Sequence, residues 1–269
     1  MKICIGIGYP LKASRSPAMH NAGYKKLGID NEFVYLTTEV KPENLERAIE
    51  GLRALEVRGI SITMPFKQTV MKYLDSIDKE AEKIGAVNTI VNNSGKLIGY
   101  NKDWIGALTA LEKKINLPGK KVAVIGAGGA ARAIIYGLKK KNAIVKIFNR
   151  TKKRAQKLAQ EFDCSYSSLN SLEETTRMDV IINSTSIGMH EDKSPIDKKF
   201  LNKNQIVFDV VYLPLNTKLI RDAKEKGAKV VFGYEMLLYQ GIEQFKLYTN
   251  HDAPIEIMKG ALIKSLNEN

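Results

Sequence analysis

Disulfide and metal chemistry have little to work with in this chain. Its 269 residues hold two cysteines, Cys4 and Cys164, and three histidines, His20, His190 and His251. Two thiols cannot build a disulfide framework, and no cysteine or histidine stands in metal-ligand spacing. The pattern predicts no metal and a reducing, cytoplasmic setting in which both cysteines are small buried side chains. The histidines form no nucleophile pattern, which leaves a Ser-His hydrolase without support and each histidine as a surface or packing residue. Long apolar runs are missing as well. The opening Met1-Lys2-Ile3-Cys4-Ile5 is cut by Gly6, Gly8 and Pro10 before it reaches the length of a signal-peptide core, so it reads as a buried first strand. Nothing approaches the roughly 20 apolar residues of a membrane helix.

Acidic residues are the minority charge: 29 Asp and Glu face 42 Lys and Arg, a net charge of +13. The excess raises nucleic acid or an anionic small molecule as a partner. The basic residues are dispersed, however, and no aromatic-basic motif accompanies them, which argues against nucleic acid. Runs such as Lys139-Lys140-Lys141 and Lys152-Lys153-Arg154 read as polar helix faces. With 44% hydrophobic and 26% charged residues, the chain reads as a soluble globular protein of one large or two modest domains.

Strand-like runs at Ile3 to Ile7, Phe33 to Leu36 and Val57 to Ile62 alternate with helical stretches such as Pro42 to Leu55, where Leu45, Ile49, Leu52 and Leu55 keep a helical period. Ser16 and Pro17 predict an N-cap and first helical residue, with Gly28 as the stop. Asn92-Asn93-Ser94-Gly95 between Thr89 to Val91 and Leu97 to Tyr100 predicts a hairpin. A helix from Asp103 to about Ile115 bridges to a second series, with strands at Val122 to Ile125, Ile144 to Phe148, Val180 to Asn183, Ile206 to Val210 and Lys229 to Phe232. This alternation predicts an α/β fold with a mainly parallel sheet covered on both faces.

The strongest local signal follows the strand Lys121 to Ile125, where Gly126-Ala127-Gly128-Gly129-Ala130-Ala131 opens a helix. That is a dinucleotide fingerprint in its required context. Gly126 permits the sharp turn, Gly128 close backbone approach to a pyrophosphate, and Ala131 tight helix-to-strand packing. The next strand ends at Asn149-Arg150-Thr151, where an NAD-binding protein usually carries an acid for the ribose 2′-hydroxyl. Arg150, with Lys152, Lys153 and Arg154 behind it, suits a 2′-phosphate instead, which predicts NADP as cofactor. Cations at a helix N-terminus oppose the helix dipole, so an anionic ligand accounts for them better than a solvated face does.

Candidates for chemistry are fewer. Lys67 follows a strand that emerges through Thr63-Met64-Pro65-Phe66, near the sheet edge where ligands bind, and Asp103 reads by itself as a helix cap. Within Gly233 to Leu247, Gln240 and Gln244 share a helical stripe with Leu237 and Leu247, so two amides point where apolar residues point and need partners, which a polyol ligand would supply.

As a set these residues resemble the shikimate dehydrogenase family over nearly the whole chain. The matches are Ser14-Arg15-Ser16-Pro17 with His20-Asn21, Thr63 with Pro65-Phe66-Lys67, Gly85-Ala86-Val87-Asn88-Thr89, and Asn101 with Asp103 and Gly106. They continue through the glycine loop and Asn149-Arg150-Thr151 to Asn183-Ser184-Thr185 with Gly188-Met189, Asp209-Val210-Val211-Tyr212 with Pro214, and Gly233 with Met236-Leu237 and Gln240. The resemblance implies reversible NADP-linked reduction of 3-dehydroshikimate to shikimate in aromatic amino-acid (chorismate) biosynthesis. It implies two domains with a cleft between them: a substrate domain of residues 1–102 plus 237–269 and a Rossmann-type doubly wound NADP domain of residues 103–236. Lys67 and Asp103 are the implied catalytic pair, Lys67 exchanging the hydroxyl proton and Asp103 tuning it. Ser14, Ser16, Thr63, Asn88, Tyr212, Gln240 and Gln244 are the implied substrate contacts. The implied cofactor contacts are Gly126 to Ala131, Asn149, Arg150, Thr151, Arg154, Thr185, Gly188, Met189, Val210, Gly233 and Met236. Three positions depart from the family pattern: Ala13 where His is usual, Ser61 where Asn is usual, and Lys102 where Thr is usual. They leave a quinate-using relative, or an NADP-binding sensor without turnover, as alternatives to a monomeric or homodimeric shikimate dehydrogenase.

Overall fold

The computed structural model describes residues 1–11 and 14–268; Ala13 lies outside the described residues. The chain divides into two compact units, residues 1–102 with 240–269, and residues 103–239.

The first unit is built on a six-stranded sheet of β1 (Lys2–Gly8), β2 (Phe33–Glu39), β3 (Gly59–Ile62), β4 (Ser76–Ile77), β5 (Thr89–Asn93) and β6 (Lys96–Tyr100), in the order β2-β1-β3-β5-β6-β4. β1 pairs in parallel with β2 and β3, whereas β5 runs antiparallel to both β3 and β6. The β5–β6 hairpin turns at Ser94 (φ 50°) and Gly95 (φ 86°), the left-handed pair of a type I′ turn, and Asn92 Oδ1 accepts from Gly95 N at 2.8 Å. β4, two residues long, has no periodicity by which a sequence would disclose it.

Helix α1 (Ser16–Leu27) starts one residue earlier than expected: Arg15 is the N-cap and Pro17 stands second, where its missing N–H still costs nothing. Gly28 ends it with φ 69°. The stretch from Pro42 opens as a 3₁₀ turn and becomes α2 only over Leu45–Ala54. Leu45 and Ile49 are buried, but Leu55 falls past the helix end and is 76% exposed. α3 (Lys79–Ile84) and α9 (Ile255–Asn267) complete the unit with the residues of α8 (Gly233–Thr249) from 240 onward.

One core of this unit gathers Ile7, Ile49, Ile60, Phe66, Val70 and Ile90. An aromatic cluster also forms around His20, which stacks on Tyr35 at 4.3 Å between centroids and 9° between planes and lies near Tyr24, Phe245 and Tyr248. His20 is fully buried, neither ring nitrogen has a hydrogen-bond partner, and burial drives the imidazole from 6.5 down to about 3. His190 and His251 are exposed. Beside His20, Asn21 acts as a piece of strand: its Nδ2 donates to Tyr35 O at 2.9 Å and its Oδ1 accepts from Tyr35 N at 2.8 Å. Cys4 is buried as expected; Cys164, in the second unit, is only partly covered.

The second unit carries β7 (Lys121–Ile125), β8 (Ile144–Asn149), β9 (Ser165–Ser168), β10 (Val180–Asn183), β11 (Ile206–Asp209) and β12 (Lys229–Val231), all parallel, in the order β12-β11-β10-β7-β8-β9. Counted from β7, that is the 3-2-1-4-5-6 order of the doubly wound dinucleotide fold, with its reversal between β7 and β10. Both sheet faces are buried: Val122 and Val124 enter one core, Ala123 and Ile125 the other. α4 (Asp103–Glu112), α5 (Gly129–Lys140), α6 (Lys152–Phe162) and α7 (Lys218–Glu225) provide the cover. α4 closes three residues short of its expected end, and Lys114 N turns back to Leu111 O at 2.8 Å in a tighter i→i−3 bond.

His20 makes acid stability a test of this packing. Below pH 6.5 the unfolded chain protonates His20, whereas the folded chain resists until about pH 3. Its contribution is therefore full above 6.5 and lost as pH falls toward 3. Of the rings that face it, Tyr24 and Tyr248 have their hydroxyls pushed further above 10 by burial. A His20→Phe variant is expected to lose about 2 kcal/mol less stability than the parent between pH 7 and pH 5, read by urea unfolding. Equal losses would contradict the buried neutral imidazole.

Candidate functional site

In the first unit, the ends of four strands meet along one edge. β1 leaves at Gly8, β3 at Ile62 and β6 at Tyr100, all carboxyl ends, and antiparallel β5 enters beside them at Thr89. The backbone stitches these exits together: Ile62 N donates to Asn88 O at 2.8 Å, Asn88 N to Tyr100 O at 3.0 Å and Val87 N to Lys67 O at 2.7 Å. Thr63, Lys67, Asn88 and Asn101 are gathered there, although 38 positions separate the first from the last. Thr63 and Lys67 are half-buried, and Asn88 is 2% exposed.

Ser14 and Ser16 stand at the start of α1, downstream of the β1 exit. Ser14 Oγ accepts from Ser16 N at 3.4 Å, and the first turn of α1 carries no acid and no side-chain cap. From α8 come Gln240 and Gln244, 6% and 2% exposed. Asn88 Nδ2 donates to Gln240 Oε1 at 3.2 Å. The expectation that a ligand would satisfy Gln244 gives way. Its Nε2 donates to Thr89 Oγ1 at 2.9 Å and Asn88 O at 3.3 Å, and its Oε1 accepts from Ser61 Oγ at 3.1 Å, so the protein itself uses the whole amide. Lys102 turns its ammonium toward Glu243 at 3.9 Å and over the Tyr100 ring at 5.8 Å, so a carboxylate balances the cation next to Asp103 in sequence.

In the second unit, Asp103 is the first residue of α4 and 4% exposed. The glycine loop sits where sheet order reverses. Gly126 has φ 117°, and a Cβ there would fall 2.6 Å from Ser184 Oγ, so conformation and space both exclude a side chain. Gly128 is the extended N-cap of α5, with nothing within 4 Å of where its Cβ would stand. Ala127, Gly129 and Ala130 are partly exposed along this turn, while Ala131 is fully buried against the sheet. No acid occupies the first turn of α5.

At the next strand end, Asn149 Nδ2 donates to Thr151 O at 2.9 Å, which shapes the turn into α6. Arg150, Thr151, Lys152, Lys153 and Arg154 are all exposed there, and the first turn of α6 has no acid. Across the reversal point, Asn183 Oδ1 accepts from Thr185 N at 3.0 Å and Thr185 Oγ1 at 2.7 Å, while its Nδ2 donates to Ile187 O at 3.1 Å and Asp209 Oδ1 at 2.9 Å. Asp209 also accepts from Val211 N at 3.1 Å and Thr217 Oγ1 at 2.6 Å. Burial raises its carboxyl to about 6 against these hydrogen bonds. Sequence reasoning matched Asn183 and Asp209 without giving them a job; they fasten the loops that carry Thr185, Gly188 and Val210. Met189 and Tyr212 are half-buried on these loops. α8 starts hard against them, a Cβ on Gly233 falling 2.5 Å from Val210 O. Met236, expected as a cofactor contact, is 7% exposed and packs in the core of the unit.

Three family models cover most of the chain. "Shikimate dehydrogenase substrate binding domain" matches residues 7–90, "Shikimate / quinate 5-dehydrogenase" residues 109–209, and "Shikimate 5'-dehydrogenase C-terminal domain" residues 233–263. The shikimate dehydrogenase (NADP(+)) of Pyrococcus furiosus is 43% identical over 97% of this chain and 95% of its own length. A shikimate dehydrogenase crystal structure in complex with NADP+ superimposes with a TM-score of 0.93 at 40% identity, covering 100% of this chain and 96% of that one. The Thermus thermophilus enzyme in complex with NADP(H) and shikimate gives 0.91 at 34% identity, with 98% and 100% covered.

The two loop glycines are expected to separate. Gly126→Ala should lower stability by about 1–3 kcal/mol through strain and clash. Gly128→Ala should cost within about 1 kcal/mol yet weaken dinucleotide binding, because its side chain would occupy ligand space. Urea unfolding beside a cofactor fluorescence titration reads both, and equal destabilisation would contradict the geometry.

Proposed function

The chain belongs to the shikimate dehydrogenase family, and from that premise we propose that it catalyses the reversible NADPH-dependent reduction of 3-dehydroshikimate to shikimate, a step of aromatic amino-acid biosynthesis. The observation that carries the reading is one chain holding both parts: a dinucleotide loop at the reversal point of a 3-2-1-4-5-6 sheet, and Thr63, Lys67 and Asn88 drawn to one carboxyl edge of another.

The residues of the second unit fit NADP. The N–H groups at the start of α5 face the pyrophosphate through the opening at Gly128. Asn149 and Thr151 shape the turn at which Arg150 and Arg154 hold the adenosine 2′-phosphate, and no acid stands at that strand end to reject it. Thr185, Gly188, Met189, Val210 and Gly233 line the remainder, with Met236 packed beneath. Bound there, NADPH supplies the hydride that the substrate's carbonyl carbon takes up.

On the substrate side, Ser14, Ser16 and the first turn of α1 receive the carboxylate, and Thr63, Asn88 and Gln240 hold the ring oxygens. Lys67 gives its ammonium proton to the carbonyl oxygen as the alcohol forms and takes the hydroxyl proton in reverse. Asp103 is the second member of the catalytic pair that the resemblance implies. Nothing favours a sensor without turnover: the departure at Lys102 is balanced by Glu243, and the one at Ser61 is absorbed into a hydrogen-bond chain. The cations offer no nucleic-acid surface of their own where they pair with acids, as Lys146 does with Glu174 and Lys218 with Asp222. Two unpaired thiols accord with a cytoplasmic location, and no described helix is long and apolar enough to cross a membrane.

The test is NADPH absorbance with NADP+ and either shikimate or quinate. Turnover of shikimate is expected, and no reduction with either substrate would overturn the reading. Lys67→Ala and Asp103→Asn should each cut kcat by roughly 10²-fold or more; wild-type rates would refute their roles. Arg150→Asp should raise KM for NADP+ at least about tenfold while leaving NAD+ little affected. Unchanged preference would remove Arg150 from the cofactor site.

A further inference from the structure

Seven residues of the first unit form a directed hydrogen-bond chain. Tyr248 OH lies 2.9 Å from Ser61 Oγ, and Ser61 Oγ donates to Gln244 Oε1 at 3.1 Å. Gln244 Nε2 donates to Thr89 Oγ1 at 2.9 Å, and Thr89 Oγ1 donates to Asn88 Oδ1 at 2.7 Å. Asn88 Oδ1 also accepts from Lys102 N at 2.7 Å, and Asn88 Nδ2 donates to Gln240 Oε1 at 3.2 Å.

The direction is forced at every step. A serine or threonine hydroxyl has one hydrogen, so Ser61, donating to Gln244, must accept from Tyr248, and Thr89, donating to Asn88, must accept from Gln244. Neither amide can flip without setting oxygen against oxygen or N–H against N–H. Asn88 would then turn its nitrogen on the N–H of Lys102, and Gln244 its oxygen on Asn88 O. Thr89 is fully buried and Gln244 is 2% exposed, so water does not substitute for a lost partner.

We propose that Gln244 and Thr89 are positioning residues that lock the Asn88 amide with its oxygen inward, so that Asn88 meets a bound polyol through its nitrogen and not through its oxygen. The proposal rests on the shikimate reading above. It adds a rule of polarity to that site: with the Asn88 oxygen taken by Thr89 and Lys102, a ring oxygen that meets Asn88 does so as a hydrogen-bond acceptor. It also gives Ser61 a task, since its hydroxyl orients the oxygen of Gln244 from behind.

Thr89→Val removes the hydroxyl with the shape kept, so it is the primary variant; Gln244→Met is the second. Initial rates with shikimate and NADP+ are measured for both, for Thr89→Ser, and for Thr89→Val in an Asn88→Ala background. Thr89→Val and Gln244→Met should each raise KM for shikimate about tenfold with KM for NADP+ unchanged, the effect of one misdirected buried hydrogen bond. Thr89→Ser should stay within about twofold of the parent. In the Asn88→Ala background Thr89→Val should add less than about twofold, because its effect passes through Asn88. A parent that oxidises shikimate beside a Thr89→Val variant of unchanged KM would overturn this proposal alone. So would an equal penalty with and without Asn88. A parent inactive on shikimate would take down the functional reading, and this proposal with it.

Discussion

A buried amide must find partners for its oxygen and its nitrogen, and Asn88 finds them on four elements at once. Its backbone joins β3 and β6, its carbonyl also receives the amide of Gln244 from α8, and its side chain reaches Thr89, Lys102 and Gln240. Each of these groups is desolvated, so each missing partner would cost on the order of 1–3 kcal/mol. The edge where β1, β3 and β6 leave the sheet is thereby held by polar contacts, with the apolar core of Ile7, Ile60 and Ile90 beneath it. The geometry of Thr63 and Lys67 follows, since their loop is tied to Asn88 through Ile62 and to Val87 through Lys67.

The second unit solves the same problem with different chemistry. Asn183 and Asp209, both fully buried, stand at the carboxyl ends of neighbouring strands and gather Thr185, Ile187, Val211 and Thr217. Here a carboxylate sits at the centre, and burial raises its affinity for a proton. Among the described residues, the glycine loop and the turn at Arg150 show no such scaffold of buried side chains. They rely on conformation, a positive φ at Gly126 and an open N-terminal turn at Gly128, which is what a site for a charged and extended ligand requires.

Features that announce themselves within a few residues were legible from the chain. The glycine loop, the Ser94-Gly95 turn, the Gly28 stop and the alternating faces of β7 each follow from local sterics or a two-residue period. β9, a polar Ser-Tyr-Ser-Ser edge, escaped because it has no such period. Leu55 was misplaced because helical spacing continues past the point where a helix stops. The largest gap concerned partners far apart in sequence. Ser61 stood out as a departure from the family's asparagine, and Gln244 as an amide in search of a ligand. Their mutual bond, across 183 positions, answers both. Periodicity put Gln244 inside; only the fold shows what satisfies it.

The proposed reading assigns a ligand to each of these two edges: shikimate to the polar edge around Asn88, and NADP to the loop of Gly126 with Arg150. A crystal structure with both molecules bound puts the pairing to trial. Ring oxygens of shikimate are expected within hydrogen-bonding distance of the Asn88 and Gln240 nitrogens, and the adenosine 2′-phosphate against the Arg150 guanidinium. Shikimate bound away from Asn88, or a 2′-phosphate that leaves Arg150 in solvent, would refute it.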